Sequence, residues 1–397
     1  MKKYLFITTP IIIALLLLLR YFNVLQGIYA EPVFILLVAL ILSIAFAYIE
    51  RNAQHNADEK EVHYDNLDIT RFALSIVVVL VHMRPFLGYN DHLDLAFNYI
   101  VGRICVPLFF ITSGYFAAKK EQERPGYIRN YIKGSLKFYL VWSIIYLPFG
   151  IEALDTLNIQ LPPAAFPLAI LVGFFYTGTF YHLWYFPALL LAMIVLRGWM
   201  KRFPMKPLLV ISFLLLLLGA TETYFGFLPD QLQHFLSTYY FQIFYTTRNF
   251  LFFGLFYVAL GYYIGTKEKT YVSYAFLKLL LCCVLLVAEA LILQTIDRLD
   301  SNILLSCIPL VYYLFITLIH TKPFFKTKKT IPYREYYKYY YLVHPFVIYF
   351  ATMVFLHFDR FEGHYWIQIV IVLTSVHLLS KAILMLKKKY PRALRHL

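Results

Sequence analysis

Arg71 and His82 carry the first pattern in this chain that could do chemistry. Ten residues separate them, Phe-Ala-Leu-Ser-Ile-Val-Val-Val-Leu-Val, and all but Ser75 are apolar. On a helix rising ~1.5 Å per residue, the step from Arg71 to His82 is roughly 16 Å. That is about half of a ~30 Å hydrocarbon core. A helix crossing a bilayer would therefore put the guanidinium at one mouth and the imidazole near or beyond the middle. Imidazole titrates near neutral pH and serves as a general base. The plainer reading of His82 is a single helix–helix hydrogen bond.

Other polar groups interrupt apolar runs further along. Arg103 opens the stretch Arg103-Ile-Cys-Val-Pro107-Leu-Phe-Phe-Ile-Thr112-Ser113-Gly114. An arginine at mid-membrane costs at least about 2.5 kcal/mol on insertion scales, so it faces a cavity or a partner. Its guanidinium would stabilise a developing oxyanion, bind a charged part of a ligand, or pair with a helix carbonyl. Pro107 frees backbone groups one turn later, which is tolerated at depth only where they are buried or line a wet cavity. Glu289 lies two-thirds along another run and reads as a catalytic group or as the salt-bridge partner of a buried arginine. His344 and Pro345 sit one turn into a further run. His182 and Trp184, in Tyr-His-Leu-Trp-Tyr, read as a site or as an interfacial aromatic belt. Arg248 and Asn249 read as a site or as a simple anchor. Arg84 follows His82 near the outer end. Lys137 and Lys278 lie close enough to the inner face to snorkel. The tyrosine-rich run Tyr336–Tyr341 reads as interfacial anchoring.

Apolar helices must position all of these groups. Of the 397 residues 61% are hydrophobic and only 15% charged, with a mean hydropathy of +0.65. Water could not surround that much apolar surface, whereas lipid accepts it. Segments near 4–20, 31–49, 70–87, 97–117, 136–152, 182–197, 207–225, 249–265, 275–296, 302–320, 339–357 and 366–386 are long and apolar enough to span. The expected fold is an all-α, polytopic transmembrane bundle of about 12 spans. A shorter run at 164–176 reads as interfacial or re-entrant. The start of the chain does not read as a cleaved signal peptide, because Ile28 stands where a small residue is needed and Ala30 lies far from the apolar run.

Orientation follows from the basic residues. With the N-terminus inside, most of the 36 Lys and Arg fall in the loops 50–69, 118–135, 197–206, 266–274 and 321–338 and in the tail. The outer loops hold only Arg20, Arg298 and Arg360. Both termini are expected in the cytoplasm. The net charge of +14 is thereby explained by inner-face anchoring, and no nucleic-acid partner is implied. The four cysteines (Cys105, Cys282, Cys283, Cys307) lie inside apolar runs, where neither a disulfide nor a metal site is expected.

Taken together, these residues resemble the membrane acyltransferase-3 family over roughly 65–386, ten spans of the twelve. Its Arg-x10-His is matched by Arg71 and His82. Its Arg-x-x-Val-Pro-x-Phe-Phe-x-x-Ser-Gly stretch is matched from Arg103 to Gly114. His182-Leu-Trp-Tyr, Arg248-Asn249 with Gly254 and Gly261, and Tyr341-Leu-Val-His344-Pro345 follow in order. One departure is Val106, which stands where some members carry a second arginine. The resemblance implies a ten-helix acyltransferase core (65–397) preceded by two additional helices and a linker (1–64). It also implies a bacterial cell-membrane enzyme that moves an acyl group, with acetyl the expected one, from cytoplasmic acyl-CoA to a hydroxyl or amine of an extracytoplasmic or lipid-linked carbohydrate. The expected roles are catalytic for His82, Arg103 and Glu289, donor-binding for Arg71 and His344, and acceptor-binding for His182, Trp184, Arg248 and Asn249. No permanently bound cofactor and no metal is implied, and no esterase-like or racemase-like domain is expected after the last span. A carrier for a small amino acid or a polysaccharide intermediate is the alternative, using the same buried charges as its pathway.

Overall fold

A computed structural model describes residues 2–21, 31–33, 35–44, 64–88, 90–156, 162–267, 270, 272–321, 331–357, 365–392, 394 and 396. All regular structure among them is helical. In chain order the helices are α1 (Lys2–Tyr21), α2 (Ile35–Ile44), α3 (Asp65–Met83), α4 (Asp91–Glu123), α5 (Tyr127–Thr156), α6 (Phe166–Thr177) and α7 (Tyr185–Met200). They continue with α8 (Met205–Ala220), then a run of short helical pieces from Asp230 to Phe244, then α9 (Phe250–Gly265), α10 (Ala275–Leu293), α11 (Cys307–His320), α12 (Ile331–His357) and α13 (Tyr365–Lys389). Five of these, namely α3, α4, α5, α10 and α13, contain stretches long and apolar enough to cross a membrane. The linker at 51–63 and the junctions around Ala30 and Arg360 lie outside the described residues.

The outer surface is as apolar as the interior, and part of the polar complement is buried. Ile144, Val210, Leu285 and Val370 are exposed on the helix surfaces, while His344, Ser75, Ser212 and Ser380 are fully buried. Lipid against the outer faces and polar groups gathered inside is the arrangement a bilayer demands. The protein is an all-helical membrane protein.

The first two helices attach through a small separate cluster, in which Ile12 and Ala39 pack on Leu280 of α10. The large core lies elsewhere and centres on α4 and α9. These two helices touch backbone to backbone. A Cβ on Gly114 would sit 2.1 Å from the Val258 carbonyl oxygen, and one on Gly261 would sit 2.0 Å from that of Ile111. Only glycine permits this approach. On the other side, α12 packs between α3 and α13. Thus α4 is fixed on α9 and α12 on α3, and α3 also packs directly against α4, which brings together the helices that carry Arg71, His82, Arg103 and His344.

Several helices are wound more loosely at one end. Leu95–Val101 within α4 and Phe250–Gly254 within α9 are π-helical. Both windings sit beside residues singled out by the sequence, Arg103 and Arg248–Asn249, and π segments frequently mark functional sites. The stretch expected to span from 302 instead starts its helix at Cys307, because residues 301–304 are held in irregular conformation by side-chain hydrogen bonds. The run at 164–176 forms the short helix α6.

Replacing Gly261 by Ala is expected to destabilise the α4–α9 pair by about 1–3 kcal/mol, the usual cost of overpacking. Gly134→Ala, where a Cβ meets nothing within 4 Å, is the matched control. Thermal unfolding in detergent reads the difference: the Gly261 variant should melt at lower temperature and the Gly134 variant should not.

Candidate active site

His82 sits in the last turn of α3. Its Nδ1 lies 2.8 Å from the Val78 carbonyl oxygen, which can only accept. The neutral ring therefore carries its proton on Nδ1 and keeps Nε2 as the basic nitrogen. Immediately beyond, α3 ends at Arg84, whose backbone is left-handed (φ 49°). The Arg84 guanidinium reaches Asp94 at 2.5 Å and ties the end of α3 to the start of α4. This brings the mouth of α4, and with it Arg103, to the side of His82.

Arg103 is held by Asn302, whose side-chain oxygen accepts from Nη1 at 3.0 Å. Asn302 in turn donates to the Asp300 carboxylate. Pro107 has no N–H, so the carbonyl of Arg103 loses its helical partner. The Cys307 thiol donates to that carbonyl instead, at 3.5 Å. The Arg103 Nε has no hydrogen-bond partner although it is cut off from solvent.

His182 belongs to a tight turn before α7. The turn is entered through Gly178 (φ 81°), where a Cβ would lie 2.4 Å from the Trp184 nitrogen. The Tyr341 hydroxyl donates to the His182 carbonyl, while both His182 ring nitrogens are buried and unpaired. His344, one turn beyond Tyr341 on α12, uses Nδ1 against the Tyr340 carbonyl at 3.0 Å and leaves Nε2 unpaired. The rings of His82 and His344 are 4.9 Å apart, and those of His182 and His344 are 5.6 Å apart. Three imidazoles therefore meet at one point, and they do not form a metal-holding group among the described residues.

A cavity of about 120 Å³ opens in front of this cluster, lined by His82, Arg103, His182, Trp184, Arg248, Asn302 and Tyr341 among others. Five residues expected from the sequence thus come together: His82, Arg103, His182, Trp184 and Arg248. Asn249 does not line the cavity. Its side chain caps the π turn of α9, accepting from the Leu251 and Phe252 amides at 2.8 and 3.0 Å, and it donates to Tyr176. Glu289 is elsewhere as well. Its oxygens accept from the Leu305 amide at 2.7 Å, the Ser306 amide at 2.9 Å, and the hydroxyls of Ser306 and Tyr224. A carboxylate so occupied fixes the entry to α11 and has no lone pair left for His82. It forms no salt bridge with an arginine among the described residues.

Arg71 lies at the other end of α3. Its guanidinium stacks 3.9 Å over the Tyr337 ring and also bonds its hydroxyl, with Asp68 at 3.5 Å. Two cavities of about 440 and 490 Å³ meet at Arg71, Ser113, Tyr131 and Tyr337. The first adds Lys119, Lys120 and Arg334 to its wall, and the second adds Lys338 and Lys387. His344 is placed with the histidine cluster and lines neither of these basic cavities. Two tyrosines of the run 336–341, whose composition suggests membrane anchors, line internal spaces: Tyr337 holds Arg71, and Tyr341 lines both the larger cavity on the Arg71 side and the histidine-lined one. Asn302 and Tyr341 were not singled out as site residues. Position within an aromatic run hid the second, and nothing near Asn302 in the sequence points to Arg103.

The model of an acyltransferase domain matches residues 64–385. The chain belongs to the acyltransferase-3 family. Among curated proteins it is similar to an amino-acid racemase of Enterococcus faecalis, 26% identical over 267 residues. That match covers 66% of this chain and 36% of the relative. A serine/alanine racemase of Enterococcus gallinarum is 28% identical over 262 residues, covering 64% of this chain and 36% of that protein. A second amino-acid racemase of Enterococcus faecalis is 24% identical over 335 residues, covering 82% of this chain and 46% of the relative. The chain therefore spans less than half the length of these relatives. No solved structure matches it.

Replacing Glu289 by Ala leaves the Ser306 amide and the hydroxyls of Ser306 and Tyr224 without this acceptor, and the Leu305 amide with only its longer bond to the Tyr224 hydroxyl; each orphaned group costs about 1–3 kcal/mol. The expected result is a large drop in the thermal midpoint. The folded fraction should also bind ligands in the histidine-lined cavity more weakly, as calorimetry would measure, because the irregular stretch that carries Asn302 to Arg103 depends on Glu289.

Proposed function

We propose that this protein is a membrane acyltransferase that takes an acyl group, acetyl by preference, from cytoplasmic acyl-CoA and delivers it to a hydroxyl or amine presented from the outer side. The observation that carries the proposal is the arrangement along α3. Arg71 opens on basic inner cavities, and His82, roughly 16 Å along the same helix, opens on a small cavity shared with Arg103. Family membership supports the same chemistry. On this reading the chain crosses the bacterial cell membrane about twelve times with both termini inside. Residues 65–397 form the working core and 1–64 an addition to it.

The steps follow from the groups present. The phosphates of the donor rest among Arg71, Lys119, Lys120 and Arg334, an anion site of the kind clustered cations make. The pantetheine arm runs past Tyr341 and brings the thioester carbonyl to the outer cavity. The Nε2 of His82 takes the proton from the acceptor hydroxyl or amine as its oxygen or nitrogen bonds to the acyl carbon. Arg103, steadied by Asn302, stabilises the oxyanion of the tetrahedral intermediate. The carbon–sulfur bond then breaks, and the sulfur leaves with the proton held by His82, giving free CoA thiol and the acylated acceptor. The Val78 carbonyl steadies the imidazolium through Nδ1. A route in which His82 itself briefly carries the acyl group uses the same atoms in two steps.

A carrier of a small amino acid or a polysaccharide intermediate is the second reading, supported by unpaired polar atoms of Arg103 and His182 beside a cavity at depth. Purified protein given radiolabelled acetyl-CoA separates the two. Release of CoA thiol with label in an acceptor supports the enzyme, whereas gradient-driven uptake without thioester cleavage supports the carrier. In the enzyme, His82→Ala should abolish transfer, by at least about 10²-fold, with unchanged insertion and thermal midpoint. Retained transfer in a folded His82→Ala protein overturns the mechanism.

A further inference from the structure

Two guanidinium groups face the outer cavity, and neither makes a salt bridge. Arg103 and Arg248 both line it, its wall contains no Asp or Glu, and neither arginine has a carboxylate within salt-bridge distance among the described residues. Two acids act on them only from a distance, Asp300 on Arg103 and Glu222 on Arg248. The oxygens of both are taken up by neutral donors, Asp300 by the Ser301 amide and Asn302, and Glu222 by the Thr247 hydroxyl at 2.5 Å. Meanwhile the Arg103 Nε is buried and unpaired. A buried donor without a partner is costly, and the oxyanion of the reaction exists only transiently, so it cannot satisfy the resting site.

Arg248 is also presented in a deliberate way. Its neighbours Thr247 and Asn249 are each only 1% exposed and are pinned, Thr247 to Glu222 and Asn249 to Tyr176 and the Thr246 carbonyl. The Arg248 amide is fixed to the Thr246 hydroxyl at 3.1 Å. Between two buried anchors the Arg248 side chain alone is left exposed, at the cavity wall. A membrane anchor would need no such bracing, and a planar guanidinium held in place suits a carboxylate.

We infer that the acceptor is itself an anion, a small molecule whose carboxylate docks on Arg248 while its hydroxyl or amine faces His82. This rests on the proposed acyl transfer and narrows its acceptor to carboxylate-bearing compounds: a free hydroxy or amino acid, or an acidic sugar. The shared chemistry is the carboxylate.

The test uses the full-length protein in lipid nanodiscs with paired probes differing in that group: L-lactate against L-lactamide, and glucuronate against glucose. Thermal stabilisation by each probe is measured without donor, and label transfer is measured with radiolabelled acetyl-CoA. The acid of at least one pair should bind and accept label on the order of 10²-fold better than its neutral twin, and the pair that responds names the source. Arg248→Ala should erase that preference and Arg248→Lys should restore part of it, with normal melting of the Lys variant confirming the fold. Equal use of acid and neutral twin, or a preference that survives Arg248→Ala, overturns the inference and leaves acyl transfer standing. Stabilisation by neither acid overturns it too. Acids that bind through Arg248 while no thioester is ever cleaved overturn the transferase reading and leave the carboxylate site intact.

Discussion

A single helix sets the distance that everything else must respect. Because α3 carries both Arg71 and His82, their separation is a property of the backbone and cannot drift with side-chain packing. Its two ends are fixed differently. Towards its N-terminal end Arg71 is stacked against Tyr337 of α12 and paired with Asp68. At its C-terminal end the left-handed Arg84 stops the helix and clamps it to α4 through Asp94. The glycine contacts of α4 with α9, and the packing of α12 against α3, hold the partners of both ends on the same frame. On the proposed reading this frame is the ruler that matches a donor bound inside to a base placed further out.

Within that frame the membrane interior dictates how polar groups are treated. Most are neutralised locally and by the nearest backbone. His82 and His344 each spend one nitrogen on a carbonyl one turn back. Thr112 and Ser113 turn their hydroxyls onto carbonyls four residues earlier. The carbonyl freed by Pro107 is covered by a thiol from another helix. Some atoms are nevertheless left unpaired, among them the Arg71 Nε, the Trp142 Nε1 and the Tyr240 hydroxyl as well as the Arg103 Nε, the Nε2 of His344 and both nitrogens of His182. Of these, Arg103 and His182 line the histidine-side cavity. Buried polar groups are normally satisfied, so a ligand in that cavity would find partners there.

The sequence makes some of this legible and hides the rest for physical reasons. Apolar runs show as helices because lipid imposes a length and a composition that no other environment requires. The Arg71–His82 spacing is readable because both residues ride one helix. Contacts across the chain are another matter. Asn302 meets Arg103 from 199 positions away, and only because the chain stays irregular until Cys307. That irregularity comes from Glu289 taking the backbone amides of Leu305 and Ser306. From sequence alone a buried glutamate looks like chemistry or a salt bridge. Which it meets, an arginine or two amides, depends on the fold. Asn249 is similar: its neighbour Arg248 reaches the cavity, while Asn249 turns inward to cap the π winding of α9. The six-residue tyrosine-rich run on α12 reads as one interfacial belt, yet the helix turns its members to different sides, Tyr337 to Arg71, Tyr340 to His377 and Tyr341 to the cavities.

Tyr341 brings these strands together. It is the one aromatic of that run that lines both the Arg71-side cavity and the histidine-lined one, with its hydroxyl on the His182 carbonyl. A continuous polar bore from Arg71 to His82 would let water and ions through the bilayer, so an enzyme that passes a donor arm along this path has to keep it closed at rest. A ring on α12 that fills the junction does this without placing a further charge at depth. The same helix carries His344 one turn later, beside His82. On the proposed reading, the ring that a donor arm must pass and an imidazole beside the base therefore ride the same helix, one turn apart.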